Sequence, residues 1–335
     1  MGARRLSRAR AAVVAATRSV AWGRGLVAVA ALGAAISVPA AVGTAGGSPP
    51  RCLGAESRDP IHRCENTKLK FMVVPTPSEA LLVPDAPCTP IEAIISVCAF
   101  GVPAAGAAGT MALVGDSHAE HWRAALEVLG RALRWSGLSI TRSSCTFTRG
   151  VSAAPEPKRA QCITWNRGVV QWFAEHPEVS TVFTSDHPGP VKTVPGQSEI
   201  AAWVAGITSA WAALPATVKH IIVIRDDPFI TEDTLPCVER AIAKREDAGL
   251  ACAVPRRRAL HIDPDVVAAE GLHSPRVQIV DLTHFFCDSR LCYPVIGGVL
   301  VYRDDFDHLT RAFSTSLGPF LLRDVRALMK TWHQA

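Results

Sequence analysis

Short apolar runs alternate with helix-forming segments along most of the chain after residue 110. The first run, at residues 111–114, has strand length and leads directly into helix-forming residues at 119–133. Apolar strands that alternate with helices are typical of a parallel sheet covered on both faces. We therefore predict an α/β fold, a three-layer α/β/α sandwich with a mainly parallel, five-stranded sheet of flavodoxin-like type. The other strands are predicted at 138–141, 181–184, 220–225 and 277–282, and the other helices at 162–176, at 199–213 and from Leu309 onward.

The first 45 residues have the pattern of an export signal. A lead that carries six arginines, residues 1–24, precedes an uncharged apolar stretch at 25–45. Such a segment is a signal peptide or an uncleaved signal anchor, and we leave the choice open while favouring cleavage. Residues 46–109 are rich in Pro, Gly and Ala and contain four cysteines, which indicates a loop-rich extension strapped by disulfides. The catalytic domain is then predicted over 110–330.

Composition sets the scale of the fold and removes one class of function. A chain of 335 residues with 48% hydrophobic content can bury one substantial core. The formal net charge of +5 comes from the arginines of the leader, so the remainder is near neutral. Because no basic stripe interleaved with aromatic residues is visible, we predict no nucleic-acid site.

The ten cysteines all lie after the apolar leader. An even count on one side of such a segment favours disulfides in an oxidising compartment, and the spacings do not form two Cys-x-x-Cys zinc knuckles. We therefore predict neither a metal nor a cofactor. The expected bridges are Cys145–Cys162, Cys237–Cys252 and Cys287–Cys292, with Cys52, Cys64, Cys88 and Cys98 paired among themselves in an order that the sequence leaves open.

A candidate nucleophile follows the first predicted strand. Gly115 and Asp116 break the apolar run, so Ser117 lies on a tight turn between strand and helix. Ligands of open α/β sheets bind beyond the carboxyl ends of the strands, where such a serine would be exposed. The alternative is that Asp116 and Ser117 only cap the helix, a frequent role of these residue types. A base elsewhere in the chain would favour the interpretation of Ser117 as a nucleophile.

The base is predicted near the C-terminus. A serine hydroxyl needs a base to take its proton, and the base needs a carboxylate to fix its tautomer. Asp305 and His308 supply both from one short loop. Serine early, with Asp and His together and late, is one of several chain orders that build a catalytic triad.

The two motifs together resemble the SGNH (GDSL-like) hydrolase superfamily, in particular the extracytoplasmic SGNH domain of acyltransferase-3-type O-acyltransferases. The matching blocks are Gly-Asp-Ser-His-Ala at 115–119, Arg-Asp-x-Pro at 225–228 and Tyr-Arg-Asp…His-Leu-Thr at 302–310, with a close cysteine pair before the last. The resemblance implies an SGNH fold and a Ser117, Asp305 and His308 triad. One extra residue between Tyr302 and His308 leaves Asp304 as the alternative orienting carboxylate.

The superfamily's Gly-x-Asn-Asp block is missing, so the oxyanion hole has to be assigned from position. The N–H of Ser117 is the first expected donor, and Ser143, Ser144 and Ser185 at the ends of the next strands are the others. Asp116, His118, Trp122 and Arg225 are further candidates for contact with substrate. Each has a structural alternative: Asp116 would hold the turn, His118 would be an exposed polar residue at the helix start, Trp122 would pack in the core, and Arg225 would form a salt bridge.

We therefore predict an exported serine-dependent O-acyltransferase. It would transfer an acyl group, in the simplest case acetyl, to a cell-envelope glycan. By analogy with the resembled family, a separate membrane acyltransferase would deliver the donor. The alternatives are an acyl-ester hydrolase and a non-catalytic glycan-binding module. The chain is expected to act as a monomer outside the cytoplasm, secreted or anchored to the outer face of the membrane.

Overall fold

A computed structural model describes residues 50–84, 95–187 and 189–332. The predicted export signal at 1–45 and Cys88 lie outside these residues. Among the described helices, none combines the length and the apolar character needed to cross a bilayer.

Within the described residues, the central sheet has six strands: β1 Cys98–Gly101, β2 Gly109–Gly115, β3 Trp135–Thr141, β4 Val179–Ser185, β5 His220–Ile224 and β7 Val277–Val280. Their order across the sheet is β1-β3-β2-β4-β5-β7. The five from β2 onward are parallel, which confirms the predicted α/β sandwich and its flavodoxin-like strand order. The prediction of five strands is one too few, because β1 pairs antiparallel with β3 at the edge. β1 has only four residues and ends in glycine, so its sequence pattern is too short to distinguish a strand from a loop. The other described strands form two short pairs: β6 Val254–Pro255 with β8 Leu291–Cys292, and β9 Val295–Ile296 with β10 Val299–Leu300.

Helices cover both faces of the sheet. Side chains of β2 alternate between two cores: Met111 and Leu113 belong to one, and Ala112 and Val114 to the other. The first core includes the apolar side chains of α3 (Arg123–Leu133) and α11 (Arg311–Met329). The second core includes those of α4 (Lys158–Glu175) and α5 (Glu199–Ala212). The described helices are α1 Pro77–Ala80, α2 Ser117–His121, α3 Arg123–Leu133, α4 Lys158–Glu175, α5 Glu199–Ala212, α6 Thr234–Lys244, α7 Ala248–Ala251, α8 Arg256–Ala259, α9 Pro264–Leu272, α10 Thr283–Phe286 and α11 Arg311–Met329.

Disulfides form within short segments, as predicted. Cys145–Cys162, Cys237–Cys252 and Cys287–Cys292 are bonded, and Cys52 pairs with Cys64. Cys98 is also disulfide-bonded. The local pairing that the spacing indicated is therefore confirmed for the three C-terminal bridges.

The described part of the extension packs against the C-terminal half of the domain. The N–H of Gly54 donates to the carbonyl of Gly297 at 3.1 Å, and the N–H of Val74 donates to the carbonyl of Gly298 at 2.9 Å. These contacts hold the β9–β10 hairpin, whose four strand residues are buried. The hairpin leads into the loop that carries His308, so the extension supports one wall of the site.

Candidate active site

The turn between β2 and α2 presents Ser117 at the switch point of the sheet. In the sheet, β2 lies between β3 and β4, so the connections that follow β2 and β3 run in opposite directions. Such a reversal opens a crevice at the carboxyl end of β2. Gly115 has a φ of +146°, and a Cβ there would lie 2.5 Å from the carbonyl oxygen of Ser185 and 2.7 Å from the Cβ of Ala119. Only glycine fits this turn. The helix begins at Ser117, two residues before the predicted start, and Trp122 separates α2 from α3.

Asp116 holds the turn to the rest of the sheet. Its Oδ1 accepts the N–H of His118 at 2.9 Å, and its Oδ2 accepts the N–H of His187 at 3.0 Å. Its own N–H donates to Asp186 at 2.9 Å. Burial raises the pKa of Asp116 above its ordinary value, although the hydrogen bonds from His118 and His187 act in the opposite direction. Because both carboxylate oxygens are engaged by the backbone, the structure places Asp116 in the positioning role that the sequence favoured.

Three backbone N–H groups are available for an oxyanion. Ser143 and Ser144 form the turn after β3, which the N–H of Cys145 closes onto the carbonyl of Arg142 at 3.0 Å. Ser144 has a φ of +58°. Among the described residues, the N–H groups of Ser117, Ser143 and Ser144 have no hydrogen-bond partner, and all three residues line the same cleft.

Ser185 is not part of that cleft. It is the last residue of β4 and its side chain is completely buried, so the prediction that Ser185 helps to form the oxyanion hole is wrong. The next residue, Asp186, accepts the N–H of Phe147 at 3.2 Å from both carboxylate oxygens. Burial, Asp265 and Asp116 raise the pKa of Asp186 well above its ordinary value. In the turn after β4, Asp186 therefore fixes backbone, whereas the side chain of His187 lines the cleft.

His308 is oriented by Asp304. Its Nδ1 lies 2.9 Å from Oδ2 of Asp304, and Oδ1 of the same carboxylate accepts the N–H of Phe306 at 3.1 Å. Burial opposes the charged carboxylate, but the hydrogen bond and charge of His308 outweigh burial and lower the pKa of Asp304. The prediction that Asp305 orients the ring is therefore wrong. The chain reverses at Asp307, with a φ of +63°, which turns His308 back over Asp304 and leaves Asp305 exposed.

His118 joins the turn that carries Ser117 to the loop that carries His308. Its Nδ1 lies 2.7 Å from Asp226, and its Nε2 lies 3.0 Å from the carbonyl oxygen of Phe306. Since both acceptors need a proton from the ring, His118 is a doubly protonated imidazolium. Burial disfavours the charge, but Asp226 and Asp227 outweigh it and raise the pKa of His118 well above 6.5. The expectation of an exposed helix start is wrong, because the residue is 3% exposed.

Asp226 is the hub of this network. Its Oδ1 contacts His118, and its Oδ2 lies 3.1 Å from Nδ1 of His187. Burial opposes its charge, yet His118 and His187 lower the pKa of Asp226 far below its usual range. The network therefore keeps one buried carboxylate ionised beside the cleft, balanced by the imidazolium of His118.

Four of the buried groups are close enough to bind one cation, namely His118, His121, Asp226 and Asp227. Nδ1 of His121 accepts the N–H of Leu309 at 3.3 Å, so the ring carries its proton on Nε2, which faces Asp227 at 3.3 Å. A protonated nitrogen is not a metal ligand. Burial and His118 also lower the pKa of His121 well below 6.5, which keeps that ring neutral. The two paired nitrogens of His118 fit a charge network, whereas Nε2 of His121 and both carboxylate oxygens of Asp227 are buried without a hydrogen-bond partner among the described residues.

Trp122 and Arg225 lie outside the main cleft. Trp122 is 0% exposed and packs edge-on against Phe286, so it does not contact substrate and the core alternative holds. Arg225 pairs with Asp281 at 2.8 Å, as the salt-bridge alternative required. It borders a second, smaller cleft of about 410 Å³ that also includes Asp226 and Phe229.

Ser117 and His308 line one large cleft of about 1040 Å³. It is lined by the turn after β2, by the loop that carries His308, by residues between 143 and 170, and by residues after β4 such as His187. The sequence analysis did not identify His187 or Asp227 as site residues. For Asp227 a signal was present, because it forms an acidic pair with Asp226 directly after β5. His187 had no such signal. The arrangement can perform nucleophilic acyl chemistry: a serine on a rigid turn, an oriented histidine and free N–H donors share one cavity.

Comparison with known proteins gives the family. A family model described as "SGNH domain (fused to AT3 domains)" matches residues 84–323. Among solved structures, the periplasmic domain of a lipopolysaccharide acetyltransferase from Salmonella ser. Paratyphi A has 12% identity and a TM-score of 0.51, over 68% of this chain and 90% of that chain. A family two carbohydrate esterase from Clostridium thermocellum, an active-site mutant, has 13% identity over 66% of this chain and 64% of that chain. Its TM-score of 0.38 is too low to support an argument. No curated protein matches the chain.

The first of these structures has the same fold. The family model spans more than half of the chain and contains the turn of Ser117, the segment after β5 and the loop of His308. From the match and from the cleft in which these segments meet, we conclude that the chain belongs to the SGNH family whose domains are fused to AT3 domains and is an enzyme that acts on ester bonds.

Proposed function

We propose that the protein is an extracytoplasmic O-acyltransferase that moves an acyl group, in the simplest case acetyl, onto a hydroxyl of a cell-envelope glycan. The observation that carries the proposal is the juxtaposition of Ser117, three free N–H donors and the Asp304–His308 pair around one cleft. A binding module without turnover would not need an oriented base and a partly exposed serine hydroxyl in one cleft. The family's association with AT3 domains supports a membrane acyltransferase as the source of the donor.

Acylation of the enzyme is the first half of the reaction. Nε2 of His308 takes the proton of Ser117 as Oγ attacks the carbonyl carbon of the donor ester. The oxyanion that forms is stabilised by the N–H groups of Ser117, Ser143 and Ser144, donors of a kind worth about 3 kcal/mol each. His308 then protonates the leaving alcohol, and the acyl group remains on Ser117. Asp304 stabilises the imidazolium during both proton transfers.

Transfer to the acceptor reverses these steps. His308 removes the proton of a glycan hydroxyl, which attacks the acyl-enzyme and forms the new ester. Ser117 recovers its proton as it leaves. With water as the acceptor the same chemistry would be hydrolysis, so the choice between transferase and esterase depends on which acceptor the cleft admits.

Several parts of the chain outside the site fit this role. We assign residues 1–45 to export, 46–109 to an extension that supports the domain, and 110–330 to catalysis. Disulfides throughout the described residues suit an oxidising compartment. The lipopolysaccharide acetyltransferase with a similar fold was solved as a periplasmic domain, which supports the same location here. The proposed partners are the acyl donor and the glycan acceptor, and the protein acts on them as a monomer.

The proposal is tested by following the acyl group. Wild-type protein and Ser117→Ala are incubated with p-nitrophenyl acetate, with and without a mixture of cell-envelope oligosaccharides, and the products are analysed by mass spectrometry. A transferase yields acetylated oligosaccharide at a rate well above the release of acetate, and the alanine variant yields neither. Release of acetate that oligosaccharides do not divert would instead establish an esterase.

A further inference from the structure

The charged residues that line the Ser117 cleft belong to different segments of the chain. Asp116, Asp305 and Asp307 lie on the segments that carry the nucleophile and the base. A second segment, which we call the basic wing, consists of the cleft-lining residues between 143 and 170. It contains four basic residues and no acidic one; the four are Arg149, Lys158, Arg159 and Arg167.

Most of the wing's positive charge has no partner among the described residues. Arg159 pairs with Glu156 at 2.7 Å. In the described parts of the chain, the side chains of Arg149, Lys158 and Arg167 make no ion pair or hydrogen bond. Residues 46–335 contain 29 basic and 30 acidic residues, a net charge of −1. The wing is therefore a local concentration of charge and does not reflect a generally basic surface.

The backbone that carries these cations is rigid. Cys145 is bonded to Cys162, which joins the loop after β3 to α4. Asn166 of α4 accepts the N–H of Thr148 at 2.9 Å and donates to the carbonyl of Thr146 at 3.0 Å. Arg149 follows this clamp directly, and its own N–H donates to the carbonyl of Gly206 at 3.0 Å. Arg149 on the loop and Lys158 and Arg167 on α4 are thus held at fixed positions around one side of the cleft.

The cleft-lining residues of the wing offer no exposed aromatic ring on which a neutral sugar could stack. The aromatic residue of the wing, Phe147, is 1% exposed and cannot stack on a ring. Arginine and lysine side chains instead suit carboxylate and phosphate groups, which accept charge-assisted hydrogen bonds from them. Clefts that are lined by one sign of charge also concentrate ligands of the opposite sign.

We propose that the acceptor is an anionic glycan, whose carboxylate or phosphate groups lie against Arg149, Lys158 and Arg167 while a nearby hydroxyl reaches Ser117. This inference rests on the proposed transferase function and names the class of its acceptor. We assign the anion to the acceptor because the acetyl group that Ser117 would carry is uncharged and leaves the cations of the wing without a ligand in the acyl-enzyme.

Binding is measured on the full-length protein with Ser117→Ala, so that turnover does not interfere. Calorimetry compares two matched pairs: oligogalacturonide with a neutral oligogalactoside of equal length, and a phosphomannan oligosaccharide with the unphosphorylated mannan oligosaccharide. We expect at least one charged member to bind at least tenfold more tightly than its neutral match. The pair that shows the difference identifies carboxylate or phosphate as the recognised group. The preference should disappear in 0.5 M NaCl, which is about three times physiological ionic strength.

Charge variants locate the site. Replacing Arg149, Lys158 and Arg167 with glutamine in the Ser117→Ala background should remove the preference for the charged oligosaccharide. The matched control is Arg257→Gln with Arg258→Gln, two exposed arginines of α8 outside the cleft, and it should bind like the parent. Equal or absent binding of charged and neutral members, or an unchanged preference in the triple variant, overturns the proposal. Formation of acetylated oligosaccharide from p-nitrophenyl acetate by the wild-type protein tests the transferase function separately.

Discussion

Replacing Asp304 with asparagine should disable the base while the loop stays folded. The amide oxygen of asparagine can still accept the N–H of Phe306, which Asp304 accepts at 3.1 Å. The amide nitrogen would then face Nδ1 of His308, which Oδ2 contacts at 2.9 Å. An N–H donor at that position makes Nδ1 an acceptor and moves the ring proton to Nε2. With Nε2 protonated, His308 cannot take the proton of Ser117.

The size of the effect follows from the exposure of the pair. In a fully buried triad, this substitution lowers the rate by about 10,000-fold. Both Asp304 and His308 retain 17% of their side-chain exposure, so water can replace part of the lost stabilisation. We expect a loss of about 100- to 10,000-fold in the rate of Ser117 acylation, or about 3–5 kcal/mol of transition-state free energy.

The assay is the burst of p-nitrophenol released on acylation by p-nitrophenyl acetate, with the melting temperature measured in parallel. Asp305→Asn is the matched control, because Asp305 is exposed and does not contact His308. It should keep its rate within about threefold, as surface changes away from such contacts usually have small effects. A larger loss in Asp305→Asn than in Asp304→Asn would refute the assignment of the orienting carboxylate.

Three further substitutions test the surroundings of the site. His118→Gln removes the cation between buried carboxylates, so the free energy of unfolding should fall by about 3–5 kcal/mol; an unchanged denaturation midpoint would contradict the charge network. Burial raises the pKa of Asp307 to about 6, so its ionisation opposes folding as pH rises from 4 to 7. Asp307→Asn keeps the hydrogen bond from Ile230 and should be more stable than wild type by at most about 2–3 kcal/mol at pH 7.5, with no gain at pH 4; an equal gain at both pH values would argue against this titration. Gly115→Ala should destabilise the fold by about 1–3 kcal/mol or more and reduce Ser117 acylation, whereas Gly271→Ala, where a Cβ meets nothing within 4 Å, should not; equal melting temperatures for the two would disprove the tight turn.

The parallel sheet and the nucleophile turn could be predicted because their signals are local. An apolar run such as 111–114 is buried wherever it lies in the sheet, and Gly115 followed by Asp116 and Ser117 can hardly continue a strand. The disulfides were predictable for the same reason, since Cys145 and Cys162 close a short loop within one segment. In each case the decisive contact lies close in sequence.

The misassigned residues depend on contacts between distant segments. Nothing near His118 indicates that Asp226, 108 residues later, will neutralise it in the interior. The choice between Asp304 and Asp305 depends on the positive φ of Asp307, a backbone reversal that residue type alone does not specify. Trp122 was ambiguous because a tryptophan after a short helix can pack inward or line a groove, and only the position of Phe286 decides it.

The central claim is that Ser117 carries the acyl group. Its most direct test is intact-mass analysis and peptide mapping after brief incubation with p-nitrophenyl acetate at a pH where deacylation is slow. We expect one added acetyl group, located on the peptide that contains Ser117, and none on the corresponding peptide of Ser117→Ala. An unmodified wild-type protein, or an acetyl group that persists in the alanine variant, would contradict the assignment of Ser117 as the nucleophile.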